Sequence, residues 1–347
     1  MVNLSASADN YGCPAVLEPV SCVSHIKEEL VLDGQVMNCP EGIRVYTGLI
    51  LQGGSRIESG DIDVVDGGYI SARGTENCPI SLTSASPTPA PGDWQFHIHP
   101  GENAETSLTW TIIEYAGEAN REAIETTASD GSIAFDHVSI RNVMGRTALD
   151  LRGGKVSKFS NVSFHDVAGS AMEISPNQSG IVDPSIAIDD STVDGPWVHV
   201  RGNRLDQDTE WENIGVPYLV EDFSVRATLS ISEGATVLYD RKADLRVEND
   251  GRLIVSGTAS APVIFDTVSK DPQPGDWNRV VIASKEENEF SHMQINHGGG
   301  NNRQGAITVT KSGAVTVRHT RFANNLTCDI KNNGALTTEH VEYIECP

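Results

Sequence analysis

The chain has 347 residues, with 25 Lys and Arg against 48 Asp and Glu, a formal net charge of −23. That balance disfavours duplex nucleic acid and anionic membrane surfaces as partners, because both are bound through cationic side chains that displace counterions. Hydrophobic residues at 38% suffice for a lean core, and 32 Gly with 16 Pro favour a turn-rich β architecture over helices.

Residues 1–25 read as an N-terminal cap segment that carries Cys13 and Cys22. The opening MVNLSASADNYGCPAVLEPVSC lacks the basic-then-apolar order of a signal peptide, and a secreted protein without its leader reads the same way. Cys39, Cys78, Cys328 and Cys346 complete an even set of six, crowded toward the two ends and fitting no CxxC metal template. Disulfides are the expectation, and with them an extracellular, cell-surface or periplasmic location. Cys328 and Cys346 are 18 residues apart, close to one short turn of a coil, and are expected to pair. The four N-terminal cysteines allow three pairings, among which the sequence does not choose. No run of about 18 apolar residues occurs, so no membrane insertion by a helix is expected.

From about residue 26 the chain becomes a succession of short apolar runs: Ile62–Val64, Tyr69–Ser71, Ile80–Leu82, Ile133–Phe135 and Val138–Ile140. Gly, Asn, Asp or Pro separates them, as expected of strands joined by turns, and no 3.6-residue apolar stripe persists. The segment from Ile62, IDVVDGGYISARGTENCPISLTSASPTPAPGDW, aligns without a gap to the segment from Leu245, LRVENDGRLIVSGTASAPVIFDTVSKDPQPGDW. Gly68/Gly251, Gly74/Gly257, Thr75/Thr258, Pro79/Pro262 and Trp94/Trp277 are equivalent, at one constant offset (277 − 94 = 183). Two copies of a unit follow, one over about 26–200 and one over about 201–347. Within each, the pattern returns after roughly 20–25 residues, the turn length of a β-solenoid. The expectation is an all-β parallel coil, its two tandem sequence units forming one continuous solenoid.

The shared residues suit such a coil. Gly68 and Gly251 are expected at corners of positive φ. Thr75 to Pro79 and Thr258 to Pro262 read as a corner followed by strand entry. Asp93-Trp94 and Asp276-Trp277 follow Pro-Gly turns, with the carboxylate expected to cap turn amides and the ring to cover an end of the rung. Asn142, Asn161 and Asn324 are expected to form inward amide ladders.

The strings DGRLIVSGTASAPVIFDT…PGDW and TEWENIGVPYLVEDFSVRATLSISEGATV resemble the repeat of bacterial secreted right-handed parallel β-helix proteins in the pectin-lyase-like superfamily. The resemblance covers nearly the whole chain from about residue 26 and is clearest in the second copy. In the first, Cys78 precedes the proline and Leu82 stands where the second copy has Phe265. It implies the right-handed coil and leaves function open, because the same coil hosts lyases, hydrolases, adhesins and spacers.

Candidate chemistry is sparse. His97 and His99 share a strand face, the spacing of a metal pair or of two surface histidines. Trp110, Trp197 and Trp211 have no counterpart in the other copy and are candidate ligand contacts, whereas Trp94 and Trp277 recur as packing would require. Asp189 and Asp190 could supply part of a carboxylate pair for hydrolysis. Arg201 and Arg204 beside Asp206 form the one basic cluster suited to a lyase. Asp206, Asp208 and Glu210 alternate in a way that could hold Ca²⁺, the one cofactor considered, though no EF-hand or nonapeptide Ca²⁺ repeat is present. The sequence is best read as a non-catalytic secreted or cell-surface module for binding, adhesion or spacing, with a glycan or another surface component as partner. The alternatives are a polysaccharide lyase or glycoside hydrolase of the pectin-lyase-like fold, and a phage or virion fibre segment, which requires a trimer.

Overall fold

The structure, a computed structural model, describes residue 13 and residues 19–65, 67–127, 131–301 and 304–347. Of the expected N-terminal cap, residues 1–12 and 14–18 lie outside the described residues. Of the described residues, 52% are in strands and 2% in helix, and the parallel sheets stack as a β-solenoid of about 12 turns. The chain divides into two compact units, Met1–Glu173 with Ser185–Pro196 and Ile174–Pro184 with Trp197–Pro347.

In the first unit each turn lays strand on three faces. Ile43–Val45, Asp61–Val64, Gln95–Ile98, Glu122–Thr126, Thr147–Asp150 and Ser170–Ile174 stack in parallel as the first face. Gly48–Gln52 and Tyr69–Arg73 lie on the second face, Arg56–Ser59 and Ile80–Ser84 on the third. The long strands Glu105–Glu114, Ser132–Val143 and Lys155–Val167 then run across both. Parallel register sets Ile43, Ile62, Phe96, Ile124, Leu149 and Met172 directly over one another. All six are buried. Each such side chain contributes about 1.5–3 kcal/mol by leaving water, and strand alternation turns its neighbours outward.

The second unit repeats the plan. Phe223–Val225, Asp244–Val247, Arg279–Ile282, Ile307–Val309 and Ile330–Asn332 form one face, stacking Phe223, Leu245, Val280, Ile307 and Ile330 as a buried column. Thr228–Ser232, Arg252–Ser256, Asn288–Ser291, Ala314–Arg318 and Ala335–Glu339 form another. Tyr218–Val220, Thr236–Tyr239, Val263–Thr267, Met293–Asn296 and Arg321–Ala323 form the third.

The duplicated residues occupy matching places. Thr75 Oγ1 accepts from the Cys78 amide and Thr258 Oγ1 from the Ala261 amide, each at 3.1 Å, just before the strands that follow Pro79 and Pro262. Asp93 accepts from the Ala90 amide and Asp276 from the Gln273 amide, as turn caps should. Trp94 and Trp277 are buried, and their indole N–H groups donate to the carbonyls of Glu114 and Asn296.

Two expectations about corners are corrected. Gly68 and Gly251 do not adopt positive φ. They are glycines because a Cβ would stand 2.1 Å from the Val45 carbonyl oxygen and 2.2 Å from that of Val225. Asn142, Asn161 and Asn324 do not form inward ladders either. They sit in the left-handed region at φ 53°, 53° and 56° on the outside of the bend, where Asn is the most readily tolerated residue with a side chain.

These left-handed corners align turn by turn. In the first unit one column holds Trp110, His137 and Asn161, at φ 47°, 56° and 53°, and another holds Tyr115, Asn142 and Asp166. In the second unit the first column holds His292, His319 and His340, at φ 47°, 48° and 51°, and the other holds His297 and Asn324. Gly74 and Gly257 lie under Trp110 and His292, where a Cβ would come within 2.3 and 2.2 Å of the carbonyl oxygen above.

Three disulfides join Cys13 to Cys78, Cys22 to Cys39, and Cys328 to Cys346. The C-terminal pair is the expected one, and the N-terminal set resolves to one of its three possibilities. The bonds are compatible with an extracellular location. Among the described residues, no helix is long and apolar enough to cross a membrane.

Candidate functional site

The first face of the first unit carries a charged column that the sequence reading missed. At the outward centre of successive strands stand Arg44, Asp63, His97, Glu125, Asp150 and Glu173, paired in register from turn to turn. The signal is present in the sequence as triplets with a polar centre between inward residues, apolar except for Thr126: IRV at 43–45, IDV at 62–64, FHI at 96–98, IET at 124–126, LDL at 149–151 and MEI at 172–174. Stacking the triplets exposes the column.

Its upper part is a chain of ion pairs. Arg44 Nη2 lies 3.1 Å from Asp63 Oδ2, His97 Nδ1 lies 2.8 Å from Asp63 Oδ1, and His97 Nε2 lies 3.9 Å from Glu125 Oε2. The hydrogen bond to Asp63 raises the His97 pKa above its ordinary value, and the same bond lowers that of Asp63. Below it, two arginines are set among three carboxylates. Arg146 bridges Glu122 and Glu173, the latter at 3.0 Å. Arg152 reaches Asp150 at 2.6 Å, Glu173 at 3.0 Å and Glu122 at 3.8 Å. Glu173 is 2% exposed and Asp150 5%, so these charges are held out of water by their partners. The Asp150 hydrogen bond raises the Arg152 pKa further above its usual range. Beside the column, Gln95, His97, Arg121, Glu122, Glu125 and Thr127 line an open cavity of about 530 Å³.

The His97 pair makes a pH-dependent contribution whose sign can be worked out. A histidine raised above about 6.5 gives stability that is complete below that value and is lost as pH climbs through the raised one. A carboxylate depressed below about 3.9 gives stability that is complete above that value and is lost as pH falls through the depressed one. The pair is therefore fully formed between roughly pH 4 and 6.5. Histidine NMR titration is expected to place His97 above the usual imidazole value in the native chain and closer to it in Asp63→Asn. Equal values in the two proteins would show that Asp63 does not hold the proton.

The candidate site residues are dispersed over the fold. His97 belongs to the column, but His99 Nδ1 is bonded to Thr127 Oγ1, so the two histidines serve different partners. Trp211 is fully buried, stacked 4.8 Å from Tyr218 with its indole N–H on Ser179, and is a core residue rather than an open ligand contact. Its bond to Ser179 ties it to the 3-10 helix Pro176–Ile181, a local element without a counterpart in the other copy's alignment. Trp110 stacks 4.0 Å from His137 at a corner, and Trp197 is half-buried before the strand Val198–Val200. Asp189 accepts from Ser191 and pairs with His165 at 2.7 Å, while Asp190 beside it is exposed. Arg201 faces Glu221 at 3.4 Å, and Arg204 faces Asp206 at 2.7 Å. Asp208 accepts from the Thr228 amide and Glu210 from the Ser232 hydroxyl. The three carboxylates of the proposed Ca²⁺ cluster thus turn to three separate partners.

No protein-family model, curated protein or solved structure matches the chain. The parallel β-solenoid is the class that the fold defines.

Proposed function

We propose that the protein is a secreted or cell-surface β-solenoid of the pectin-lyase-like kind, which binds an extended neutral glycan along the first face of its first unit without cleaving it. The observation that carries this reading is the in-register column from Arg44 to Glu173 with the open cavity at its side. Stacked strands set such groups about 4.7–4.9 Å apart, a regular row suited to a ligand that itself repeats. Guanidinium, carboxylate, imidazole, amide and hydroxyl groups lie side by side there, which matches sugar hydroxyls that donate and accept at once. A net charge of −23 favours neutral sugars over polyuronates. Three disulfides support the extracellular setting.

A glycan array followed by calorimetry tests the reading. The native chain is expected to retain a neutral oligosaccharide, and Glu125→Ala and His97→Ala are each expected to weaken it about tenfold, the scale of one good hydrogen bond to a charged group. Retention at native strength by both variants would remove the face from consideration. A second reading, a polysaccharide lyase or hydrolase, is favoured by one feature: Glu122, Asp150 and Glu173 gather around Arg146 and Arg152. Cleavage products released from the bound saccharide would establish that reading in place of the first.

A further inference from the structure

We propose that His319, His340 and Glu339 form a binding site for a divalent transition-metal ion of the zinc class, on the outside of the second unit. Each offers one ligand atom, and these atoms lie within 4.8 Å of one another. Two imidazoles and a carboxylate are the donor set that suits Zn²⁺ and its neighbours, with water completing the coordination.

The backbone brings them together. The amide of His292 donates to the Arg318 carbonyl and that of His319 to the Glu339 carbonyl, the same bond one turn on. Because Arg318 and Glu339 are register partners at the ends of Ala314–Arg318 and Ala335–Glu339, the histidine after each is delivered to the same corner. Left-handed φ at both positions turns the side chains away from the core. The rings of His319 and His340 stack 4.8 Å apart at 7°, with His292 a further 4.5 Å along. Glu339 Oε1 lies 3.6 Å from His340 Nδ1, and its Oε2 lies 3.3 Å from Arg318 Nε.

Zn–N bonds of about 2.0–2.1 Å require the two donor nitrogens to approach closer than this stack spacing. One ring must therefore tilt, and His340, 69% exposed on its side chain, has the room to do so. Arg318, displaced from Glu339, has Glu289 at 3.9 Å as its other partner. His292 is held by the Ser291 hydroxyl at 3.1 Å and stands outside the trio. The metal thus needs side-chain rotation alone, on strands already fixed.

Zinc titration of the full chain by calorimetry, with histidine NMR signals followed in parallel, tests the site. Asparagine is the substitution of choice because this chain already places Asn161 and Asn324 at left-handed corners of similar φ. The native chain is expected to bind one Zn²⁺ with Kd below about 10 µM. His319→Asn and His340→Asn are each expected to weaken binding at least about tenfold, and His292→Asn to change it less than about twofold. Native affinity weaker than about 100 µM, or unchanged affinity in the His319 and His340 variants, would overturn the proposal. Equal loss in His292→Asn would overturn the assignment of the three ligands.

Discussion

Replacing Trp277 with alanine is expected to destabilise the second unit by roughly 3–5 kcal/mol, the cost of emptying a large buried aromatic site. The ring is fully buried and stacks 4.2 Å from Tyr239, which in turn packs 5.5 Å from Phe265. Its indole N–H donates to the Asn296 carbonyl at 2.7 Å. Gly298 leaves the ring its place, since a Cβ there would stand 2.9 Å from the indole edge. The truncation therefore opens a cavity, removes an aromatic pair and orphans a carbonyl, all beside Tyr239, whose hydroxyl burial already pushes its pKa well up. Trp277→Phe keeps one aromatic ring but loses the hydrogen bond and part of the packing, so a smaller loss of about 1–3 kcal/mol is expected. Denaturant unfolding with hydrogen exchange as a local probe measures both. A loss below about 1 kcal/mol for the alanine variant would mean that the ring does not close the turn's interior.

Arg152→Leu is expected to cost the first unit about 3 kcal/mol, the lower end of the range for breaking a buried ion pair, because Arg146 still faces Glu173. The substitution leaves the buried carboxylates of Asp150 and Glu173 with less positive charge beside them. The diagnostic measurement is a cycle. Adding Asp150→Asn and Glu173→Gln to Arg152→Leu should recover more than half of the loss, since the penalty comes from buried charge rather than from missing contacts. If the triple variant is no more stable than Arg152→Leu, the network acts through packing of the arginine stem and the electrostatic account fails.

Much of the fold is written in local patterns. The strand triplets, the Thr-x-x-x-Pro turns and the Pro-Gly-Asp-Trp turns depend on a few neighbouring residues, and the duplication shows them twice. The C-terminal disulfide was readable for the same reason, since Cys328 and Cys346 are about one turn apart. What the sequence hid depends on register between turns. Glu125, Asp150 and Glu173 are unremarkable in isolation and become a column only when Ile124, Leu149 and Met172 are stacked. The corner columns were hidden because a single residue type does not mark them: left-handed φ is commonest for Gly, Asn, Asp and His, whereas here successive turns impose it on Trp and Tyr as well. Gly68 and Gly251 serve close approach rather than positive φ, a distinction that only the neighbouring turn reveals. The N-terminal pairings needed the coil itself, which brings Cys78 to Cys13 and Cys39 to Cys22.

The corner columns separate surface chemistry from fold. Trp110, His137 and Asn161 differ in size, charge and polarity, yet they make the same bend in successive turns. A mutation there alters what the exterior displays at one level and leaves the apolar stack beneath untouched. Such a strip can be rewritten a letter at a time during descent or in the laboratory, and each rewritten letter is presented at a height the backbone has already set.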